Sequence, residues 1–159
     1  MTEDTVPLAR AALDDLLKPY ADGGDLVGVS CIAEGADSLF AEAVLGVGGR
    51  LVVVILSRDY RQKKVKADHA ALSDRLAEAA DEVLVLPNDT ADRQVYGAAD
   101  AVLLRRADRL VVVWDGAPAS GKGGGTAGTV EGARAASIPV DVVWPAGAAR
   151  RSAGSFCRQ

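Results

Sequence analysis

Aromatic side chains are scarce in this sequence: two Trp, three Tyr and two Phe amount to 4% of 159 residues. A core must therefore be assembled from Val, Leu, Ile and Ala, and with 49% hydrophobic residues there are enough of them. Net positive charge is absent as well. At −4 overall, the chain carries no electrostatic footprint for nucleic acid or an anionic membrane surface. Its basic clusters, "RDYRQKKVK" and "LLRRADR", read as solvated faces. No apolar run reaches the ~18–20 residues that cross a bilayer, and the opening "MTEDTVPLAR" is acidic and lacks a signal-type apolar region. The two cysteines, Cys31 and Cys157, have neither metal-ligand nor redox spacing, so a reduced, cytoplasmic setting is the default expectation. The only histidine, His69, lies in a polar helical stretch and is expected to be exposed. No Ser–His–Asp set or metal cluster can be assembled around it. Metal, nucleic acid and membrane are thus not expected partners.

Short, continuous apolar runs are present. "LVGVSCIA" (26–33), "LVVVILS" (51–57), "VLVLP" (83–87), "LVVVWD" (110–115) and "VDVVW" (140–144) are mostly β-branched and none alternates strictly. That continuity predicts strands covered on both faces, as in a parallel sheet. Helical stripes lie before and between them. Leu13, Leu16, Leu17 and Tyr20 are spaced i, i+3, i+4, i+7, with Thr5 as an N-cap and Pro7 near the start. Ala36, Leu39, Phe40, Ala43, Val44 and Val47 repeat that spacing until "GVGG" (46–49) stops the helix. A weaker helix is expected over about 67–80. Another, over about 91–106, is striped by Val95, Ala99, Val102 and Leu103, and a small alanine-rich one covers about 126–136. Alternating strands and helices specify an α/β fold with a mainly parallel sheet of about five strands and right-handed crossovers. Residues 1–145 form one domain, and the small, polar tail 146–159 is expected to fray.

The unusual stretch is "VVVWDGAPASGKGGGTAGTVEGARAA" (111–136), which runs from strand through glycine-rich turn to helix. In open parallel sheets, ligands sit beyond the carboxyl ends of the strands, at such turns. Glycine lets the backbone approach a ligand closely, and the helix mouth beyond it offers unpaired N–H groups and positive dipole to a phosphate. "GAPASGKG" fits a P-loop at Gly116, Gly121 and Lys122, but Gly123 stands where that motif needs a metal-binding hydroxyl. A dinucleotide fingerprint on Gly123, Gly125 and Gly128 comes too late in the chain. A plain glycine-rich surface loop is the simpler reading. A second turn, "EGAD" (34–37), has the same form, and both emerge at the same edge of a parallel sheet, so they can face one crevice.

Together "CIAEGADSLFAEAVL…GGRLVVVILSRDYR" and "ADRLVVVWDGAPASGKGGGTAGTVEGARAASIPV" resemble the SLOG superfamily, which includes DNA-processing protein A and the lonely-guy phosphoribohydrolases. The likeness covers about residues 26–143. It implies a Rossmann-like, three-layer α/β/α domain that binds a nucleotide or nucleotide-derived ligand without a metal. By the resemblance Gly123, Gly124, Gly125 and Thr126 hold phosphate, while Gly35, Ala36 and Asp37 form the opposing wall. Arg58, leaving the second strand with Tyr60, covers a phosphate or stacks on a base. Asp115 either orients a sugar or simply shapes its turn, and Lys122 either pairs with phosphate or is solvated. The lonely-guy pattern G-G-x-G-T-x-x-E puts Thr129 or Gly132 at its catalytic glutamate, so Glu131 misses either register. Binding or sensing is the expectation. The alternative is an N-glycoside hydrolase or transferase on nucleoside monophosphates or NAD-like substrates, with Asp115, Asp37 or Glu131 as its carboxylate. Relatives open with a strand and a Gly-His-Arg-like turn, so a strand upstream of Met1 is expected, or else a sheet that does without it. The resemblance also allows a homodimer.

Overall fold

Each of the five apolar runs forms a strand, with helices between them. The computed structural model describes residues 1–118 and 125–151. In chain order these are α1 (Thr5–Asp22), β1 (Val27–Ser30), α2 (Ala36–Gly46), β2 (Arg50–Ile55), α3 (Tyr60–Lys63), α4 (Ala67–Ala79), β3 (Glu82–Val85), α5 (Arg93–Arg106), β4 (Leu110–Val113), α6 (Thr126–Ala135) and β5 (Val140–Val143).

Every strand pair is parallel, as the absence of strict alternation predicts. The strands form two sheets, however: β1-β2-β3 and β4-β5. The expectation of one sheet of about five strands is corrected to this extent. A ladder needs backbones about 4.8 Å apart, and no such pairing joins β1 to β4 among the described residues. Helices make the connection instead. Ala9, Leu13 and Leu17 of α1 share one core cluster with Leu39, Ala43 and Val44 of α2 and with Val143 of β5. On β2, where side chains alternate between faces, Leu51 and Val53 pack with Ala41 of α2 and Leu76 of α4. Val54 packs on the opposite face with Val95 and Ala99 of α5.

This coverage stops short at the margins. Val83 and Val85 of β3 are 43% and 54% exposed, and Val142 of β5 is 48% exposed, so these strands are not buried on both faces as their composition predicts. The α4 side chains reach β2, whereas β3 lies at the rim of its sheet. Within α1 the stripe shifts in the same way: Leu13 and Leu17 are buried, but Tyr20 is 45% exposed. The N-cap is Asp4 rather than Thr5. Thr5 is fully buried, and its Oγ1 donates to the carbonyl of Ala149 and accepts the Ala149 N–H, at 3.0 and 2.8 Å. The short helix α3 has no signature in the sequence pattern.

Candidate functional site

The turn leaving β1 is built under strain. Ile32, a β-branched residue that is 2% exposed, has φ +50°, where L side chains rarely settle. Hydrogen bonds hold it there. Its N–H donates to Ser30 Oγ at 3.0 Å, and Ser30 Oγ in turn donates to the Asp37 carbonyl at 3.0 Å. Ser38 Oγ lies 2.8 Å from the Ala33 carbonyl and 3.2 Å from that of Ile32. Three residues later Gly35 takes φ +101°, ψ −126°, a conformation open in practice only to glycine, and α2 begins with no side-chain cap.

The other turn ends the same way. Gly125, at φ +89° and ψ 173°, precedes α6, which also starts without a side-chain cap. Gly125 and Thr126 are exposed. Gly123, Gly124 and Lys122 lie outside the described residues, as does Cys157. α5 contacts the first turn of α6. Thr129 Oγ1, one helical turn beyond Gly125, donates to Asp100 Oδ2 at 2.9 Å, and the Asp100 charge acts on Asp37.

The charges of Asp37 and Asp100 both reach Cys31, just beyond the carboxyl end of β1. Burial pushes the Asp37 carboxyl above its ordinary value of 3.8; the Ala33 N–H opposes the shift and the Asp100 charge adds to it. Burial also raises Asp100, with the Thr129 bond opposing. Cys31 is pushed up to about 12 by burial and by both carboxylates, so its thiol is neutral and unreactive at ordinary pH. Tyr60 is raised too, mainly by burial, then by Tyr96, Cys31 and Asp37. The sign for stability follows from proton counting. Above the unfolded value the folded chain keeps a proton on Asp37 that the unfolded chain has released, so this group loses stability as pH rises through its native pKa. Asp37→Asn is expected to raise stability, and so Tm, near pH 7. The gain should vanish as pH falls to 3.8 and below. Parallel melts of both proteins from pH 3 to 8 check this, and a constant difference across that range would contradict it.

The remaining expected residues lie as follows. Asp115 shapes its own turn: its Oδ1 accepts the Ala117 N–H at 2.9 Å, next to Gly116 at φ +82°, and Oδ2 is 3.3 Å from Arg150. Arg58 is exposed and pairs with Asp89 at 2.6 Å. Glu131 is exposed on the outer side of α6. His69 departs from expectation: it is 8% exposed, and its Nε2 lies 3.1 Å from the Ile32 carbonyl and 3.3 Å from Ser38 Oγ. Its place was legible, because 69, 72, 73 and 76 make a helical stripe ending in buried Leu76. Asp100 was missed; the one cue is an acid inside the small, apolar run "GAADAVLL".

Two shallow hollows, one beside α1 and β5 and one after β3, touch neither turn. No group of three or more His, Cys, Asp or Glu among the described residues is arranged to hold a metal, and no helix among them is long and apolar enough to cross a membrane. No protein-family model matches the sequence, and no curated protein matches it.

Proposed function

We propose that this chain is a Rossmann-like domain of SLOG type that binds a nucleotide or nucleotide-derived ligand, without a metal, between its two glycine turns. The observation that carries this reading is the matched pair of helix mouths. Both α2 and α6 follow a strand and begin at a glycine of positive φ with no side-chain cap. Uncapped N-terminal amides and the helix dipole favour an anion, and positive-φ glycines let a phosphate come close to the backbone. Strand order supports the choice of crevice. The chain proceeds β1-β2-β3 in one direction, then returns to build β4-β5. α5 touches both β1 and α6, and in this reading the reversal falls between β1 and β4, the kind of point where ligands of doubly wound folds sit. In this reading phosphate lies at Gly123–Thr126 and the Gly35–Asp37 turn faces sugar or base. Asp115 and Arg58 contribute less, since turn and ion-pair contacts already engage them.

Thermal melts with AMP, ADP-ribose, NAD and cyclic nucleotides test the proposal. A ligand at 100 times its Kd adds about 2.7 kcal/mol, or roughly 5–10 °C here. A Tm unmoved by all of them would remove the nucleotide reading.

One observation favours the hydrolase alternative: a half-buried carboxyl whose pKa desolvation raises, as at Asp37, suits a general acid. Free base released from AMP or NAD by the parent chain, and not by Asp37→Asn, would establish turnover.

A further inference from the structure

The geometry points to His69 as a positioning residue for the ligand turn, acting through the Ile32 carbonyl from a separate helix. This inference rests on the nucleotide reading, because it concerns how the Gly35–Asp37 wall is held. The hydrogen atoms around His69 can be assigned from the network. Ser38 Oγ has a single proton, and its shortest contact, 2.8 Å, is the Ala33 carbonyl, which can only accept. The Oγ lone pairs are then free to receive a donor. The Ile32 carbonyl, 3.1 Å from His69 Nε2, is also an acceptor. With acceptors on both sides, Nε2 must carry the proton and donate to Ile32 and, at 3.3 Å, to Ser38.

That bond sits where the backbone most needs it. Ile32 at φ +50° is unfavourable for a β-branched side chain and persists only if its surroundings over-determine it. Ser30 holds its N–H, while His69 holds its carbonyl. His69, Ser38 and Ile32 are 8%, 3% and 2% exposed, so no water replaces a lost donor without rearrangement. The direction of the chain at Ile32 sets how residues 33–37 cross to α2, and with it the aim of the turn. His69 comes from α4, outside both turns, so its effect on a ligand is indirect.

The test uses the full chain and two variants: His69→Gln, whose amide nitrogen donates from a similar reach, and His69→Phe, which fills space without donating. Two readouts are taken at a temperature where all three proteins are folded. The first is hydrogen exchange of the Ile32, Ser38 and Leu39 amides, which donate to Ser30 Oγ, the Ala33 carbonyl and the Gly35 carbonyl. Exchange there should accelerate at least about tenfold in His69→Phe and stay near the parent rate in His69→Gln. The second is the Kd for AMP and ADP-ribose, expected to weaken at least about tenfold in the phenylalanine variant and to be restored by glutamine. A purely packing role would lower the Tm of His69→Phe yet leave both readouts of the folded protein unchanged, and that result overturns the inference. If the parent binds neither probe, the nucleotide reading fails, and the inference as a statement about ligand positioning fails with it. The exchange rates then still report whether His69 holds the turn. Parent binding with an unaltered Kd in His69→Phe sinks the inference alone.

Discussion

Gly28→Val is expected to cost about 3 kcal/mol and to lower Tm by roughly 6–12 °C. A Cβ at this point of β1 would stand 2.5 Å from Cγ2 of Val44 and 3.2 Å from Cε1 of Phe40, both on α2. Val44 is fully buried and cannot swing clear into solvent. Valine suits strand backbone better than glycine, but that preference spans only about 1 kcal/mol, so the clash decides the sign. Gly28→Ala already places the offending carbon and should lose about 1–2 kcal/mol. The glycine lets α2 lie close on β1, and α2 opens with the Gly35–Asp37 turn. Thermal melts of the three proteins check the order parent, alanine, valine. A valine variant as stable as the parent would mean that α2 does not rest on β1 at this depth.

Leu13→Ala is expected to cost about 2–5 kcal/mol. Leu13 is fully buried in the cluster that joins α1 to Val44 of α2 and Val143 of β5. With no ladder between the two sheets among the described residues, such side-chain contacts connect them, and a cavity here loosens β4-β5 from the rest. Urea denaturation should show a lower midpoint with an unchanged m-value if unfolding stays cooperative. A drop in m would instead mean that the β4-β5 unit separates first. Leu16→Ala, at a partly buried position on the same helix, serves as the smaller reference.

Much of this was legible in local pattern. The strands fall inside the five apolar runs or within a residue of them, and α2, α4, α5 and α6 match the predicted spans closely. Helical and strand periods are properties of neighbouring residues, so a single sequence carries them. The two glycine turns were legible for the same reason: positive φ restricts residue choice at one position, and Gly35 and Gly125 both adopt it. His69 was misread because its neighbours are polar, although its spacing to Leu76 already placed it on a buried stripe.

Asp100 illustrates what a linear reading lacks. Its one local cue is an acid within a small, apolar run, and its meaning comes from Thr129, 29 residues away, and from Asp37 on α2. Asp115, by contrast, shapes its turn through a neighbour two residues on, and only its ion pair with Arg150 required folding.

Residue order alone settled the α/β class, the parallel sense of the strands and the position of both turns, since each follows from short-range periodicity and backbone sterics. Folding settled the division into two sheets, the bare face of β3, the raised carboxyls of Asp37 and Asp100 and the hold of His69 on Ile32. Those features rest on which distant surfaces meet and how far water is excluded where they do, and neither quantity is written in any local stretch of the chain.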